Sequence, residues 1–137
     1  MKTHKDLTDN ELVHAFKACS LAPAIFTHEA HLRMAWLYLK QYGLEETLVQ
    51  FPRDLKAYVD HLGVSGKYHE TLTQAAIRAV SHFMQRSEAS DFPGFISEFP
   101  RLKTHFRELM AAHYGNDIFN SSRARSEYIE PDLLPFT

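Results

Sequence analysis

Residues 26–39, FTHEAHLRMAWLYL, decide the fold class. Their apolar side chains recur at steps of three and four, the period of a helix with one face in a core. Thr27 offers a capping hydroxyl just before the stretch. The pattern predicts a helix to Tyr42, with Gly43 as a left-handed stop. His28, His31, Ala35 and Leu39 share one face, flanked by Leu32 and Trp36. Both imidazoles are therefore expected to point inward, with room beside small Ala35. Arg33, Lys40 and Gln41 are expected on or near the wet side.

The same period governs the rest of the chain. Thr8-Asp9-Asn10-Glu11 has the form of a capping box and starts a short helix that should end near Ser20. Leu44 to His61 reads as a helix with Glu45 and Glu46 in its first turn and Gly63 at its end. Pro52 inside it should kink or divide it. Tyr68 to Ser87 is expected as the next helix, with Leu72, Ala76, Ala79, Val80 and Phe83 as its buried stripe. Asp91 can cap a short helix that accepts Pro93 in its first turn. Leu102 to His113 reads as one helix stopped by Gly115. Ser121 or Ser122 can cap a last short helix, and Pro131 and Pro135 make the tail extended. No alternating strand pattern or internal repeat occurs. The expected fold is all-α: one domain, residues 1–137, a bundle of about five to seven helices with an extended C-terminal strap.

Bulk properties bound the function. The chain has 137 residues, 45% of them hydrophobic and 23% charged, so it can bury a core of its own. A formal net charge of -2, with scattered lysines and arginines, gives no attraction to nucleic acid or anionic membrane. No apolar stretch approaches the ~20 residues that span a bilayer. The N-terminal residues lack the apolar region of a secretory signal. With a single cysteine, Cys19, no disulfide framework is possible. A cytoplasmic protein is expected, with Cys19 as a small core residue.

Nine histidines permit metal or acid–base chemistry. Helical His28-x-x-His31 places two imidazoles close enough to share a metal ion. His69 in Tyr68-His69-Glu70-Thr71-Leu72-Thr73 is the natural third ligand, since it opens another helix on the core side. Three histidines leave an open position, the arrangement of catalytic zinc. Two histidines with Glu70 would suit non-haem iron. Glu70 or Glu29 could serve as general base, with Tyr68, Thr71 and Thr73 as hydrogen-bonding groups. The competing reading is that interior histidines only hydrogen-bond the backbone or a carboxylate. His4, His14, His61, His82, His105 and His113 show no clustering and read as surface or packing residues. Glu130-Pro131-Asp132 is expected to pin the strap through arginines such as Arg53, Arg123 or Arg125, or else to close the polar pocket with one carboxylate.

Taken in order, His28-x-x-His31-Leu32, Ala35-Trp36-x-Tyr38-Leu39, Tyr68-His69-Glu70-Thr71-Leu72-Thr73, Ala124-Arg125 and Glu130-Pro131-Asp132-Leu133 resemble a family of short bacterial proteins without an assigned reaction. Its members carry H-x-x-H-L, Y-H-E-T-x-T and A-R…E-P-D-L segments. The resemblance covers Phe26 to the C-terminus. It implies that His28, His31, His69 and Glu70 belong to one site and that the strap is part of the design. It departs at Phe26-Thr27, where the pattern has an aromatic and Asn, and at Tyr114-Gly115-Asn116, where it tends to have Tyr-Ser-Arg. Three functions are therefore expected to compete. The first is a small zinc or iron enzyme with His28, His31 and His69 as ligands and Glu70 and Tyr68 as catalytic groups. The second is a metal-free enzyme or small-ligand-binding protein using the same cluster, and the third is a helical interaction module.

Overall fold

The helix starts follow from local capping chemistry. In the computed structural model, which describes residues 2–136, the Thr8 hydroxyl accepts from the Glu11 N–H and the Glu11 carboxylate accepts from the Thr8 N–H. This capping box opens α1, Asp9–Lys17. Thr27 accepts from the Ala30 N–H and opens α2, His28–His61. Asp91 caps α4, Phe92–Glu98, and Ser121 caps α7, Ser122–Ser126. Between these lie α3, Glu70–Met84, α5, Arg101–Thr104, and α6, Phe106–His113. Short 3-10 turns occupy 4–6, 65–67 and 118–120. The protein is all-α, with no strand among the described residues. None of its helices is long and apolar enough to cross a membrane.

The chain forms two compact units, Met1–Tyr68 and His69–Thr137. In the first, α1 packs on α2. Phe16 is completely buried, and its ring meets those of Phe26, Tyr38, Phe51 and Tyr58 at centroid distances of 5.4, 6.2, 5.7 and 5.4 Å. These separations suit tilted and edge-to-face ring pairs. The Tyr58 hydroxyl donates to Leu21 O at 2.8 Å, and the Tyr38 hydroxyl to Asp54 at 2.7 Å. In the second unit, Ala75, Ile77, Val80, Phe92, Phe95, Leu102, Met110 and Ile118 are buried, and α3 packs on α7.

Several boundaries differ from the expectation. The interruption of α2 at Gly43, whose φ of 80° and ψ of 176° suit only glycine, is the one expected, but the helix is not divided at Pro52 and continues through it. Pro52 gives up one backbone bond, but Thr47, Phe51, Leu55 and Tyr58 around it are buried at helical spacing, and that packing holds the turn. Helix α1 ends at Lys17, before Ser20, in a Schellman turn: Ser20 N–H reaches Ala15 O and Cys19 N–H reaches Phe16 O. Cys19 fills the left-handed position with φ 59°, where glycine is usual, and is only half-buried, not a core residue. Gly63 ends α2 in the same motif, as its position in the sequence suggests. The span 102–113 divides at His105, which is non-helical at φ -135° and ψ 40°. There Thr104 turns its hydroxyl back to Pro100 O and contacts the His105 ring, a local bond that competes with helix continuation.

Candidate functional site

His31 occupies a distinctive position in the first unit. Its ring stacks between Phe26 and Phe51, at 5.3 and 5.2 Å between centroids. Its Nε2 is buried without a hydrogen-bond partner among the described residues. Burial, followed by the charge of His28, pushes the imidazole down to about 4, so it is neutral near pH 7. The completely buried Thr47 hydroxyl, one turn before Phe51, also lacks a partner among the described residues. His28 does not share the buried face: it is exposed at the first position of α2. The inward expectation holds for His31 and fails for His28, because the first turn of the helix emerges from the core before Ala30 re-enters it.

A polar network that the sequence reading missed ties the N-terminal segment to α2. His4 is 5% exposed, and its Nε2 lies 2.9 Å from the Glu29 carboxylate. Arg33 is 8% exposed, not on the wet side, and donates to His4 O, to Leu7 O at 2.9 Å and to Asp9 at 2.8 Å. His4 is thus neither isolated nor at the surface. Burial lowers its pKa, with the Glu29 hydrogen bond opposing. Glu29 is committed to this network, which removes it from the position of an unencumbered general base. Only the spacing of Glu29 and Arg33, one helical turn apart, hinted at a shared face; the partner His4 lay outside any periodic pattern.

In the second unit the H-E-T-L-T residues have local structural roles. Helix α3 begins at Glu70, not Tyr68, and His69 is its N-cap. The His69 Nδ1 accepts from the Leu72 N–H at 3.1 Å, so the proton sits on Nε2, which donates to Ile118 O at 2.9 Å. Burial lowers its pKa, and the neutral ring with one fixed tautomer follows. Both nitrogens are engaged, so a metal on His69 would have to displace one of these bonds. The Thr73 hydroxyl donates to His69 O at 2.7 Å, and Gln74 donates to Glu70 at 2.8 Å. Tyr68 belongs to the first unit, with extended backbone and Lys56 over its ring at 5.0 Å.

Thr71 clasps the tail. Its hydroxyl donates to Glu127 O at 2.8 Å and accepts from Ile129 N–H at 3.0 Å. The Tyr114 hydroxyl donates to Ile129 O at 2.8 Å. Further along, Asp132 accepts from the Gly115 N–H at 2.8 Å, Leu133 N–H reaches His113 O, and Phe136 stacks on His113. The extended strap is therefore present, but Asp132 is held by backbone, while Arg53 pairs with Asp54 and Arg123 with Glu127. Replacing Thr71 with Val removes both bonds and leaves two backbone groups unpaired. A loss of about 1–3 kcal/mol in urea unfolding is expected, with faster proteolysis beyond Ser126. An unchanged midpoint and unchanged cleavage would contradict the clasp.

An open groove of about 250 Å³ lies in the second unit between Arg107, Met110, Tyr114, Asn116 and Phe119. None of the residues singled out as ligands or catalytic groups lines it. Among the described residues, no group of three or more His, Cys, Asp and Glu side chains is arranged to hold a metal ion. No family model, curated protein or solved structure matches the chain.

Proposed function

We propose that the protein binds a small organic molecule through the neutral imidazole of His31, without a resident metal ion. The buried, unpartnered Nε2 of His31 supports this reading. A buried polar atom without a partner costs about 1–3 kcal/mol, and a ligand that hydrogen-bonds to it recovers that cost. Phe26 and Phe51 fix the ring plane and leave the imidazole edge to recognise a donor or acceptor. Tyr68, in the same unit as His31, keeps its catalytic role as part of the proposal.

A metal centre is the competing reading, and the same Nε2 favours it, because an unpartnered imidazole one helical turn from His28 is half of a two-histidine ligand set. Zinc or iron recruiting His69 would break its cap or its bond to Ile118. A thermal-shift screen of small organic acids, amides and heterocycles on chelator-treated protein separates the two. The proposal expects at least one class to stabilise the protein in the presence of EDTA and to lose that effect in His31→Phe. Stabilisation by Zn²⁺ or Fe²⁺ alone, abolished by EDTA, would overturn it in favour of the metal centre.

A further inference from the structure

The open groove of the second unit contains a cation that the fold leaves uncommitted. Arg107, in the first turn of α6, lines it together with Met110, Tyr114, Asn116, Ile118 and Phe119. The guanidinium lies over the Phe119 ring, 3.9 Å from its centroid. Among the described residues Arg107 makes no ion pair and no hydrogen bond. A ring face attracts the charge without occupying the N–H donors of the guanidinium, so those donors stay available to a ligand.

The neighbours of the cation set the kind of ligand that fits. Phe119 belongs to the 3-10 turn 118–120, which Asp117 caps by accepting from the Phe119 N–H at 3.1 Å. The His69 bond to Ile118 O ties the same turn to the start of α3. Met110, Tyr114 and Ile118 are buried and give the groove apolar walls. At about 250 Å³ it falls just below the usual range of ligand clefts, about 300–1,000 Å³, so its occupant is small. Asp117 lines the groove too, but its second oxygen accepts from the Asn120 amide at 2.6 Å and it forms no ion pair with Arg107. The Asn120 bond, followed by that from the Phe119 N–H, holds its carboxyl below the usual range, so it is ionised near pH 7. That fixed negative charge disfavours a ligand with two anionic charges over one with a single charge.

We propose that this groove binds a small monocarboxylate with an apolar body, the carboxylate on Arg107 and the body against Met110, Ile118 and Phe119. The planar guanidinium fork matches a carboxylate, and the pair forms charge-assisted hydrogen bonds. The site stands on residues other than His31, so it and the reading given above can fail separately.

The test uses the whole chain and three probes of one body size: phenylacetate, phenyl phosphate and phenethylamine. Each is titrated at low ionic strength by calorimetry. Phenylacetate is expected to bind saturably, phenyl phosphate more weakly, and phenethylamine not at all. Arg107→Gln removes the charge, and Ala111→Phe fills the groove from the exposed side of α6 without touching a polar group. Each is expected to weaken phenylacetate binding about tenfold or more, while His31→Phe leaves it unchanged. Circular dichroism establishes that every variant is folded. No saturable binding of phenylacetate by the parent would overturn the proposal, and so would tighter binding of phenyl phosphate or phenethylamine. Parent-like affinity in Arg107→Gln or in Ala111→Phe would place the ligand elsewhere. Loss in His31→Phe with retention in Arg107→Gln would assign the binding to the first unit and overturn the groove alone.

Discussion

Replacing His69 with alanine is expected to lower the unfolding free energy by about 2–4 kcal/mol. The loss has two parts. An N-cap side chain contributes about 1 kcal/mol, and a buried carbonyl left without its donor costs about 1–3 kcal/mol. His69 supplies the cap to Leu72 N–H and the donor to Ile118 O with the two nitrogens of one ring. Asparagine can accept from Leu72 N–H but cannot span to Ile118, so His69→Asn should recover about 1 kcal/mol of the loss. Urea unfolding of the three proteins measures both steps. If both variants lie within a few tenths of a kcal/mol of the parent, the clasp-and-cap role of His69 is wrong.

The second large effect is acid lability centred on His31. Its imidazole titrates at about 4 in the folded chain, against an ordinary value of about 6.5. The unfolded chain therefore binds the proton first. Stability from the neutral ring is complete above pH 6.5 and is lost as pH falls toward 4. Linkage puts the total on the order of 3 kcal/mol. His4, His69 and His82 are also shifted downward and add to the same slope, burial being the largest cause for each. A comparison with His31→Phe isolates the His31 share, because phenylalanine can keep the stack between Phe26 and Phe51. The variant should lose less stability than the parent between pH 6.5 and pH 4. Equal losses would show that His31 is not the buried neutral group described above.

The caps and stops were the most legible part of the fold. Thr8 with Glu11, Thr27, Asp91, Ser121, Gly43 and Gly63 each act where a local rule places them, because the competition they resolve is among neighbouring backbone groups. Pro52 and His105 show where such rules stop. Tertiary burial carried the helix through the proline, and a Thr104 side-chain bond broke it where periodicity continued. The histidines were legible as residues worth watching but not in their roles. Periodicity turned the half-buried His31 inward, with its Nε2 buried, and missed the exposure of His28, since the first turn of a helix need not lie in the core. The bonds of His69 to Ile118, and of His4 to Glu29 and Arg33, cross 49, 25 and 29 residues of sequence. No local pattern encodes partners so distant.

The most direct measurement is long-range proton–nitrogen NMR of the histidine rings during a zinc titration of chelator-treated protein. His69 is expected to appear as a neutral ring protonated at Nε2, and His31 as a neutral ring, with neither changing as zinc is added. Ring-nitrogen shifts of His31 and His69 moving together to metal-bound positions at one equivalent of zinc would contradict the metal-independent account.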